Sequence, residues 1–540
     1  MNRSQSLLVG ALLMVGSSTL RAQSPSLPHI VSDGGKHALV VDGQPFLILG
    51  VQANNSSNYP ATLPQVWPVV RQLHANTLEI PVAWEQIEPR EGQFDFSWLD
   101  ALIPQARQND VRLILLWFGT WKNTGPSYAP EWVKGDTTRF PRMITKDGKT
   151  HYVLSPHSRT TLEADKRAFA AMMRHVREID PQRTVIMVQV ENETGSYSSA
   201  RDFSAVAQRL FAQAIPVRLA RMVGKNGTWS QAFGPKADQA FNAWYTARYV
   251  DEVAAAGQAE LNVPMYVNAA LSDPFKEEAA YYSASGGPNW NVIDVWKSAA
   301  PHIALLAPDI YDRDDKVYGK QLENYARSDN ALFVPETGNA LEYSRFLWPS
   351  LGKGAIGWSS FGMDATGYFN YPLGAKQLDA ATLEAFASKY ALLAPVARDW
   401  ARLALDHPTW GAARGADGSD QSSVLGRWRV TTQYGRWQFG EDNWTWIKTD
   451  SNPSKDKPIG GAAIIQLGPD EFLVAGSDVR VRFSLDTPAA GENSQFLAVD
   501  EGTFHDGKWQ LARRWNGDQI DYGLNITKPV LLKVRLGTYR

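Results

Sequence analysis

Short apolar runs alternate with amphipathic stretches along the chain up to about residue 395. The runs are rich in β-branched and aromatic residues and lack strict alternation of apolar and polar positions, which is typical of parallel strands buried on both faces. Eight such runs occur, at positions 45–52, 76–82, 112–118, 184–190, 264–270, 303–311, 331–336 and 355–361. The pattern predicts a (β/α)8 TIM barrel, an α/β fold in which helices wrap parallel strands.

One of the intervening helices is especially clear. Thr160 and Glu163 have the spacing of a capping box, and Pro181 stands where the helix should stop. The apolar residues between them recur at helical spacing and comprise Phe169, Met172, Met173, Val176 and Ile179. This segment therefore predicts a long helix that ends just before the fourth strand.

After residue 395 the helical periodicity ends. The segment 411–423 is rich in Gly, Ser and Asp and is typical of a loop or hinge. Further on, 479–485 and 530–536 alternate apolar and polar residues, as half-buried strands do. We therefore expect a barrel domain over 23–395 and a smaller all-β sandwich domain over 396–540.

The predicted sandwich is rich in tryptophan. Its members include Trp428, Trp437, Trp444, Trp446, Trp509 and Trp515. Packing in the core is the preferred interpretation, because aromatic side chains supply much of the buried area in small β domains. Stacking on sugar rings is the alternative.

The first 22 residues have the pattern of an export signal. Arg3 precedes the apolar run LLVGALLMVG, and small and polar residues follow up to Gln23. The run is too short to span a bilayer. We expect cleavage near Ala22 and a mature protein in the periplasm or outside the cell.

The charge balance argues against a polyanionic partner. Lys and Arg total 54, Asp and Glu total 56, and the net charge is −2, so no long-range field would attract nucleic acid or an anionic membrane. Cysteine is absent and the nine histidines form no H-E-x-x-H pattern. The sequence therefore predicts no disulfide, metal site or cofactor, and it favours a neutral partner. It leaves the oligomeric state open.

Two predicted strands end in carboxylates. Glu191, Asn192 and Glu193 follow the fourth strand, and Glu336 ends the seventh, at the face of a barrel where catalysis occurs. Cleavage of a glycosidic bond needs one carboxylic acid to protonate the departing oxygen and one carboxylate to meet the anomeric carbon. The pair therefore predicts a glycosidase. A plain ion pair with Arg or Lys is the alternative for either group alone, and the pattern by itself does not choose between Glu191 and Glu193.

The segment VQVENETGSY resembles the acid/base segment of the glycoside hydrolase family 35 β-galactosidases. The resemblance implies that Glu193 is the acid/base, that Asn192 hydrogen-bonds the sugar 2-hydroxyl, and that Glu336 in FVPETGN is the nucleophile. Glu191 would then lie behind the site. LVVDGQPFLILG and WEQIEPREGQFDFSWLD are also similar to family segments, and the likeness is to a bacterial branch with a C-terminal β-sandwich.

Some positions depart from the family pattern. Glu85 and Ile87 stand where the family usually has Asn and His, and Pro81 replaces a tyrosine that contacts galactose in many members. These departures leave a β-glucosidase, a β-mannosidase or an α-L-arabinopyranosidase open as alternatives.

Further candidates for substrate contact follow other strand ends. Tyr311 ends the sixth strand, from where its hydroxyl could donate a hydrogen bond to Glu336. Trp358 ends the eighth strand, where the wider family often has a tryptophan under the sugar, with core packing as the alternative. Asn123, next to Trp121 after the third strand, could bind sugar hydroxyls or turn the backbone.

The residues and the resemblance together imply a retaining exo-β-galactosidase. It would remove terminal β-galactosyl residues from oligosaccharide or polysaccharide side chains, of xyloglucan type for example, by double displacement between carboxyl groups about 5 Å apart. A transglycosylase would share the covalent intermediate. A noncatalytic carbohydrate-binding protein is the rival from another class.

Overall fold

The computed structural model describes residues 26–276 and 284–540. The predicted export signal, 1–22, lies outside the described residues. Within the two described segments, no helix is long and apolar enough to cross a membrane.

Eight parallel strands form a closed barrel, and each of the eight predicted runs supplies one of them. In chain order the strands are Ile48–Gln52, Thr77–Ala83, Arg112–Lys122, Val185–Asn192, Met265–Ala270, Leu305–Ile310, the pair Phe333–Val334 and Glu336–Thr337, and Gly357–Phe361. The seventh strand is interrupted at Pro335, which has no N–H to donate to the ladder. Its first half pairs with the eighth strand and its second half with the sixth, and this double pairing closes the barrel. The predicted barrel fold is confirmed.

Helices surround the strands and bury their apolar faces against them. They span Leu63–Gln72, Trp84–Ile87, Ser97–Gln108, Glu131–Lys134, Arg159–Ile179, Ala205–Phe211, Val217–Val223, Trp229–Phe233, Ala237–Glu260, Ile293–Ala299, Asp315–Tyr325, Leu347–Gly352, Ala380–Leu393 and Ala397–Asp406. A hairpin of Arg142–Ile144 and Thr150–Leu154 is inserted before the fifth of these helices.

The predicted long helix is present as Arg159–Ile179, but its capping residue was predicted wrongly. Ser158 is the N-cap, and its Oγ accepts a hydrogen bond of 3.2 Å from the backbone N–H of Thr161. Thr160 lies within the first turn instead, because Ser158 is the last residue with extended backbone angles.

A small antiparallel sheet closes the N-terminal end of the barrel. Its strands are His29–Asp33, Lys36–Val41 and Gln44–Phe46. Leu39 and Phe46 pack with Ile114 and Leu305 in an apolar cluster inside the barrel. This end is therefore sealed by apolar side chains, and polar chemistry is confined to the opposite end.

The C-terminal part is a sandwich of two antiparallel sheets, as predicted. The larger sheet contains, in spatial order, Thr409–Ala413, Gly461–Gly468, Glu471–Ser477, Val530–Tyr539, Asn493–His505 and Lys508–Arg514. The smaller contains Gln421–Leu425, Trp428–Gln433, Val479–Leu485 and Leu524–Ile526. Apolar residues of both sheets form one core, which includes Trp428 and Trp515. Trp446, by contrast, is 79 % exposed, so core packing does not extend to every tryptophan of this domain.

The larger sheet also packs against the barrel. Ile465, Leu473 and Leu531 belong to the same apolar cluster as the barrel helices. Helix Ala397–Asp406 lies between the boundary expected at residue 395 and the first strand of the sandwich at Thr409. The loop expected over 411–423 is shorter and covers residues 414–420, because one strand ends at Ala413 and the next begins at Gln421.

Candidate active site

Glu336 lies at the open end of the barrel, where the seventh strand resumes after its interruption. Its carboxylate accepts hydrogen bonds from Gln52 Nε2 at 2.9 Å, from the Tyr311 hydroxyl at 2.8 Å and from Asn192 Nδ2 at 3.4 Å. These neutral donors come from the ends of the first, sixth and fourth strands. Barrel closure is therefore what holds the buried carboxylate in one orientation.

Glu193 faces Glu336 across the pocket. An oxygen of its carboxyl group lies within 4.8 Å of one from Glu336. Its backbone N–H donates to Asn268 Oδ1 at 2.9 Å, and its carbonyl accepts from the N–H of Thr124 at 3.0 Å. Burial raises the pKa of Glu193 to about 7, with the positive charge of Lys122 opposing this rise and the charge of Glu336 adding to it. Glu193 therefore holds a proton in a substantial fraction of molecules at neutral pH.

The chain turns sharply as it leaves the fourth strand. φ is 64° at Glu191 and 44° at Glu193, in the left-handed region that side chains other than glycine seldom adopt. Strain of this kind is concentrated at functional sites. The turn directs Glu193 to the pocket, whereas Glu191 is buried against Trp121 and Asp165, with its Oε2 accepting from the Trp121 N–H at 2.7 Å. It thereby separates two glutamates that strand alternation alone does not distinguish.

Lys122 brings a positive charge to the pocket. Its Nζ donates to Asn192 Oδ1 at 2.8 Å and to Asn123 Oδ1 at 2.6 Å. The first of these bonds turns the Asn192 amide so that Nδ2 points toward Glu336. Asn123 is exposed and contacts the site through Lys122, while Trp121 is buried, with its Nε1 donating to the Leu154 carbonyl.

Asp309 completes a group of three carboxyl groups. Each of Glu193, Asp309 and Glu336 presents an oxygen within 4.8 Å of the others. Asp309 is paired with Glu336 in the strand register and accepts a hydrogen bond of 2.7 Å from Asn268 Nδ2. Burial, together with the charges of Glu336 and Glu193, raises the pKa of Asp309 well above its usual value.

Oxygen ligands at this spacing would also suit a divalent cation. Lys122, however, already places a positive charge beside the three carboxyl groups. That no metal and no cofactor takes part stays a prediction.

A fourth acidic side chain, Glu79, lies deeper in the barrel. Burial raises the pKa of Glu79 to about 8, although hydrogen bonds from Ser359 and Tyr266 oppose the rise. The Tyr266 hydroxyl is 3.0 Å from Glu79 Oε2. The group is therefore neutral at pH 7 and adds no full negative charge beneath the pocket.

Trp358 lies outside the pocket. Its ring is buried between Tyr318, Phe386 and Tyr390 in the layer between strands and helices, with Nε1 donating to the Tyr318 hydroxyl at 3.0 Å. Side chains alternate along a strand, so the next residue, Ser359, faces the barrel interior instead. Of the predicted site residues, the structure brings four together in the pocket: Glu193, Glu336, Asn192 and Tyr311. Asn123 is linked to the pocket only by its hydrogen bond with Lys122, and Trp358 is buried in the core.

Sequence reasoning missed the other polar side chains of the pocket. They are Gln52, Glu79, Lys122, Asn268 and Asp309, and each is buried within or at the end of a barrel strand. A signal was present, since a polar residue inside an apolar strand run needs a partner. The partners themselves lie on other strands, far away in the sequence.

Two family models match parts of the chain. Residues 61–258 match a glycoside hydrolase family 42 model described as "Beta-galactosidase". Residues 386–527 match a model described as "Domain of unknown function (DUF5597)". The chain resembles beta-galactosidases.

The sequence relatives are distant. The "Beta-galactosidase" of Xanthomonas manihotis is 27% identical over 180 residues, which cover 32% of this chain and 28% of that protein. The "Beta-galactosidase" of Arthrobacter sp is 27% identical over 189 residues, covering 32% of this chain and 25% of that protein. The chain therefore spans only about a quarter of the length of these curated relatives.

A solved structure resembles nearly the whole chain. The crystal structure of a beta-galactosidase from Bacillus circulans sp. alkalophilus covers 91% of this chain and 99% of its own, with a TM-score of 0.52 and 10% sequence identity. At that identity the likeness supports the fold alone.

Proposed function

We propose that this protein is a retaining exo-β-galactosidase that releases terminal β-galactosyl residues from oligosaccharide or polysaccharide side chains. The observation that carries the proposal is the Glu193–Glu336 pair, in which one carboxyl oxygen of each residue lies within 4.8 Å of the other. Double displacement uses carboxyl groups about 5–5.5 Å apart, whereas inverting enzymes need roughly 6.5–9.5 Å to admit a water molecule. The spacing here supports the double-displacement mechanism.

The surroundings of the two glutamates support different roles. Glu336 accepts hydrogen bonds from three neutral donors, which hold one oxygen ready to attack the anomeric carbon. Glu193, with its pKa raised to about 7 by burial, keeps the proton that the departing oxygen needs. Glu336 is therefore the nucleophile in this proposal and Glu193 the acid.

The reaction then takes two steps. In the first, a Glu336 oxygen bonds to the anomeric carbon, the bond from that carbon to the departing oxygen breaks, and the proton of Glu193 passes to that oxygen, which leaves as an alcohol. In the second, the Glu193 carboxylate removes a proton from water, the water oxygen bonds to the same carbon, and the bond to Glu336 breaks. Asn192, which Lys122 orients, is the group assigned in this proposal to hydrogen-bond the sugar 2-hydroxyl during both steps.

Different observations support the identity of the released sugar and that of the leaving group. Galactose is supported by the beta-galactosidase family match and by the names of the relatives. A sugar as leaving group is supported by Tyr152, which is 47 % exposed on the acid/base side of the pocket. Its hydroxyl is 2.5 Å from Thr124 Oγ1, and the Thr124 N–H is bonded to the Glu193 carbonyl. An exposed aromatic face there suits a neutral sugar ring.

Membership of family 35 and location in the periplasm or outside the cell are further parts of the proposal. Membership of family 35 rests on the motif around Glu193, although the family model that matches residues 61–258 is that of family 42. The location rests on the pattern of residues 1–22.

The test is hydrolysis of p-nitrophenyl β-D-galactopyranoside by the wild type and by Glu193→Ala and Glu336→Ala. We expect both variants to lose nearly all activity. Azide should restore turnover, giving β-galactosyl azide with Glu193→Ala and α-galactosyl azide with Glu336→Ala, because azide then replaces water or the nucleophile respectively. Glu323→Ala, on an outer helix, is the matched control and should behave as the wild type.

Three outcomes would change the proposal. Inversion of configuration by the wild type would refute double displacement. Cleavage of a glucoside, mannoside or arabinopyranoside with the same azide pattern would keep the mechanism and replace the sugar. Full activity in both glutamate variants would show that Glu193 and Glu336 are not the catalytic residues.

A further inference from the structure

Asp309 has no part in the two-step mechanism, yet it lies between the two glutamates that do. Asp309 is 3 % exposed and lies on the sixth strand, directly beside Glu336 of the seventh. One of its carboxyl oxygens lies within 4.8 Å of an oxygen of Glu193 and of an oxygen of Glu336. Three ionised carboxyl groups at that spacing would repel one another strongly in a buried pocket. One of them has to carry a proton.

The hydrogen bonds around Asp309 indicate where that proton is. Oδ2 accepts from Asn268 Nδ2 at 2.7 Å, and Asn268 Oδ1 accepts from the backbone N–H of Glu193 at 2.9 Å. Asn268 therefore ties Asp309 and Glu193 to each other. For the other oxygen, Oδ1, no hydrogen-bond donor is found in the described part of the chain. A buried carboxylate oxygen without a donor is costly, whereas a protonated oxygen there would donate to the Glu193 carboxyl group.

We propose that Asp309 is a positioning residue that works as a neutral carboxylic acid, whose proton is hydrogen-bonded to Glu193 and holds that group opposite Glu336. The proposal rests on the proposed glycosidase function. In this proposal Asp309 takes no part in bond making or breaking, and it acts through Glu193.

The charged and titratable groups that face Asp309 favour its neutral form. Glu336 and Glu193 add negative potential from the seventh and fourth strands, Lys122 from the third strand opposes it, and Glu79 on the second strand is itself held neutral by burial. The neighbouring tyrosines are neutral at pH 7, because burial raises the pKa of each of them: Tyr197, Tyr266, Tyr311 and Tyr325. Asp309 is also more deeply buried than Glu193, so the proton favours Asp309 when only one of the pair carries one.

This arrangement has a consequence for the reaction. When Glu193 gives its proton to the departing oxygen it becomes a carboxylate, and the hydrogen bond from Asp309 becomes charge-assisted and stronger. The interaction therefore strengthens as the transition state forms, which raises kcat and leaves KM almost unchanged. The Asp309 proton itself is not transferred.

The test compares Asp309→Asn with Asp309→Ala. Asn is isosteric and neutral, can accept from Asn268 and can donate to Glu193, so we expect kcat within about 5-fold of wild type and the same basic limb of the pH profile. Ala removes the donor, so kcat should fall about 10- to 100-fold while KM changes little. Asp312→Asn, an exposed neighbour, is the matched control.

Two results would overturn the proposal. If Asp309 works as an anion, its charge raises the pKa of Glu193, so Asp309→Asn would move the basic limb down by a pH unit or more. If Asp309→Asn is as impaired as Asp309→Ala while both unfold at the wild-type temperature, the carboxylic acid is not replaceable by a neutral donor.

A spectroscopic readout separates this proposal from the proposed function. The infrared difference between wild type and Asp309→Asn at pH 7 should contain the carbonyl stretch of a protonated carboxylic acid. Its absence would refute the neutral Asp309 even in an active enzyme. Its presence in a protein that cleaves no glycoside would keep the Asp309 assignment and remove the function.

Discussion

The Gln52 side-chain amide donates a hydrogen bond of 2.9 Å to Oε1 of Glu336, although the two residues are 284 positions apart in the chain. We predict that Gln52→Ala lowers kcat about 10- to 100-fold, because the amide holds the Glu336 oxygen in position for attack on the anomeric carbon, and a small displacement of a reacting group costs up to about 100-fold. Steady-state kinetics on an aryl galactoside would measure this loss.

Gln52→Glu provides the matched comparison, since it keeps the shape and replaces the donor by an acid. Its kcat should fall at least as far, and the loss should be largest at high pH, where the new group ionises. Wild-type kcat in Gln52→Ala would show that the other donors, Tyr311 and Asn192, orient Glu336 without it.

The pH dependence of kcat/KM should report Glu193. Its pKa is raised to about 7, chiefly by burial. The acid must be protonated in the free enzyme, so kcat/KM should fall as pH rises through about 7, by about tenfold per pH unit above it. With a 2,4-dinitrophenyl glycoside, whose leaving group needs no proton, the first step should not need the Glu193 acid, and the fall of kcat/KM above pH 7 should disappear. A basic limb that persists in Glu193→Ala with that substrate would assign the titration to another group.

Tyr152 should affect natural substrates more than aryl glycosides. Its exposed ring lies on the acid/base side of the pocket, so Tyr152→Ala should raise KM for a galactosylated oligosaccharide roughly 5- to 10-fold through lost stacking. KM for a p-nitrophenyl galactoside should change less. Tyr152→Phe keeps the ring and should stay near wild type; equal effects of the Ala and Phe variants would assign the role to the hydroxyl and not to the ring.

Stability should depend on Ser158 and not on Thr160. Ser158 is the N-cap of helix Arg159–Ile179, with its Oγ bonded to the Thr161 N–H. Ser158→Ala should lower the free energy of unfolding by about 1 kcal/mol. Thr160→Ala, at an exposed position, should stay within about 0.5 kcal/mol of wild type. Urea titrations would measure both, and a larger loss from Thr160→Ala would restore the capping box predicted from the sequence.

Much of the architecture follows from the sequence alone, because it depends on local patterns. All eight barrel strands and the long helix were predicted from runs and spacings within about twenty residues. The pairing of Glu193 with Glu336 was also within reach, since strand ends meet at one face of any such barrel. The choice between Glu191 and Glu193 required a family resemblance, because the left-handed turn that separates them is not visible in the alternation.

The surroundings of the carboxylates were decided only by the tertiary structure. Gln52, Lys122, Asn268 and Asp309 reach Glu193 and Glu336 because the barrel closes and brings separate strands side by side. Which face a strand residue occupies depends on register, and this buries Trp358 among helices while Ser359 faces inward. The apolar and polar pattern determined which segments form the barrel; closure and register, which join residues far apart in the chain, determined which side chains share its pocket.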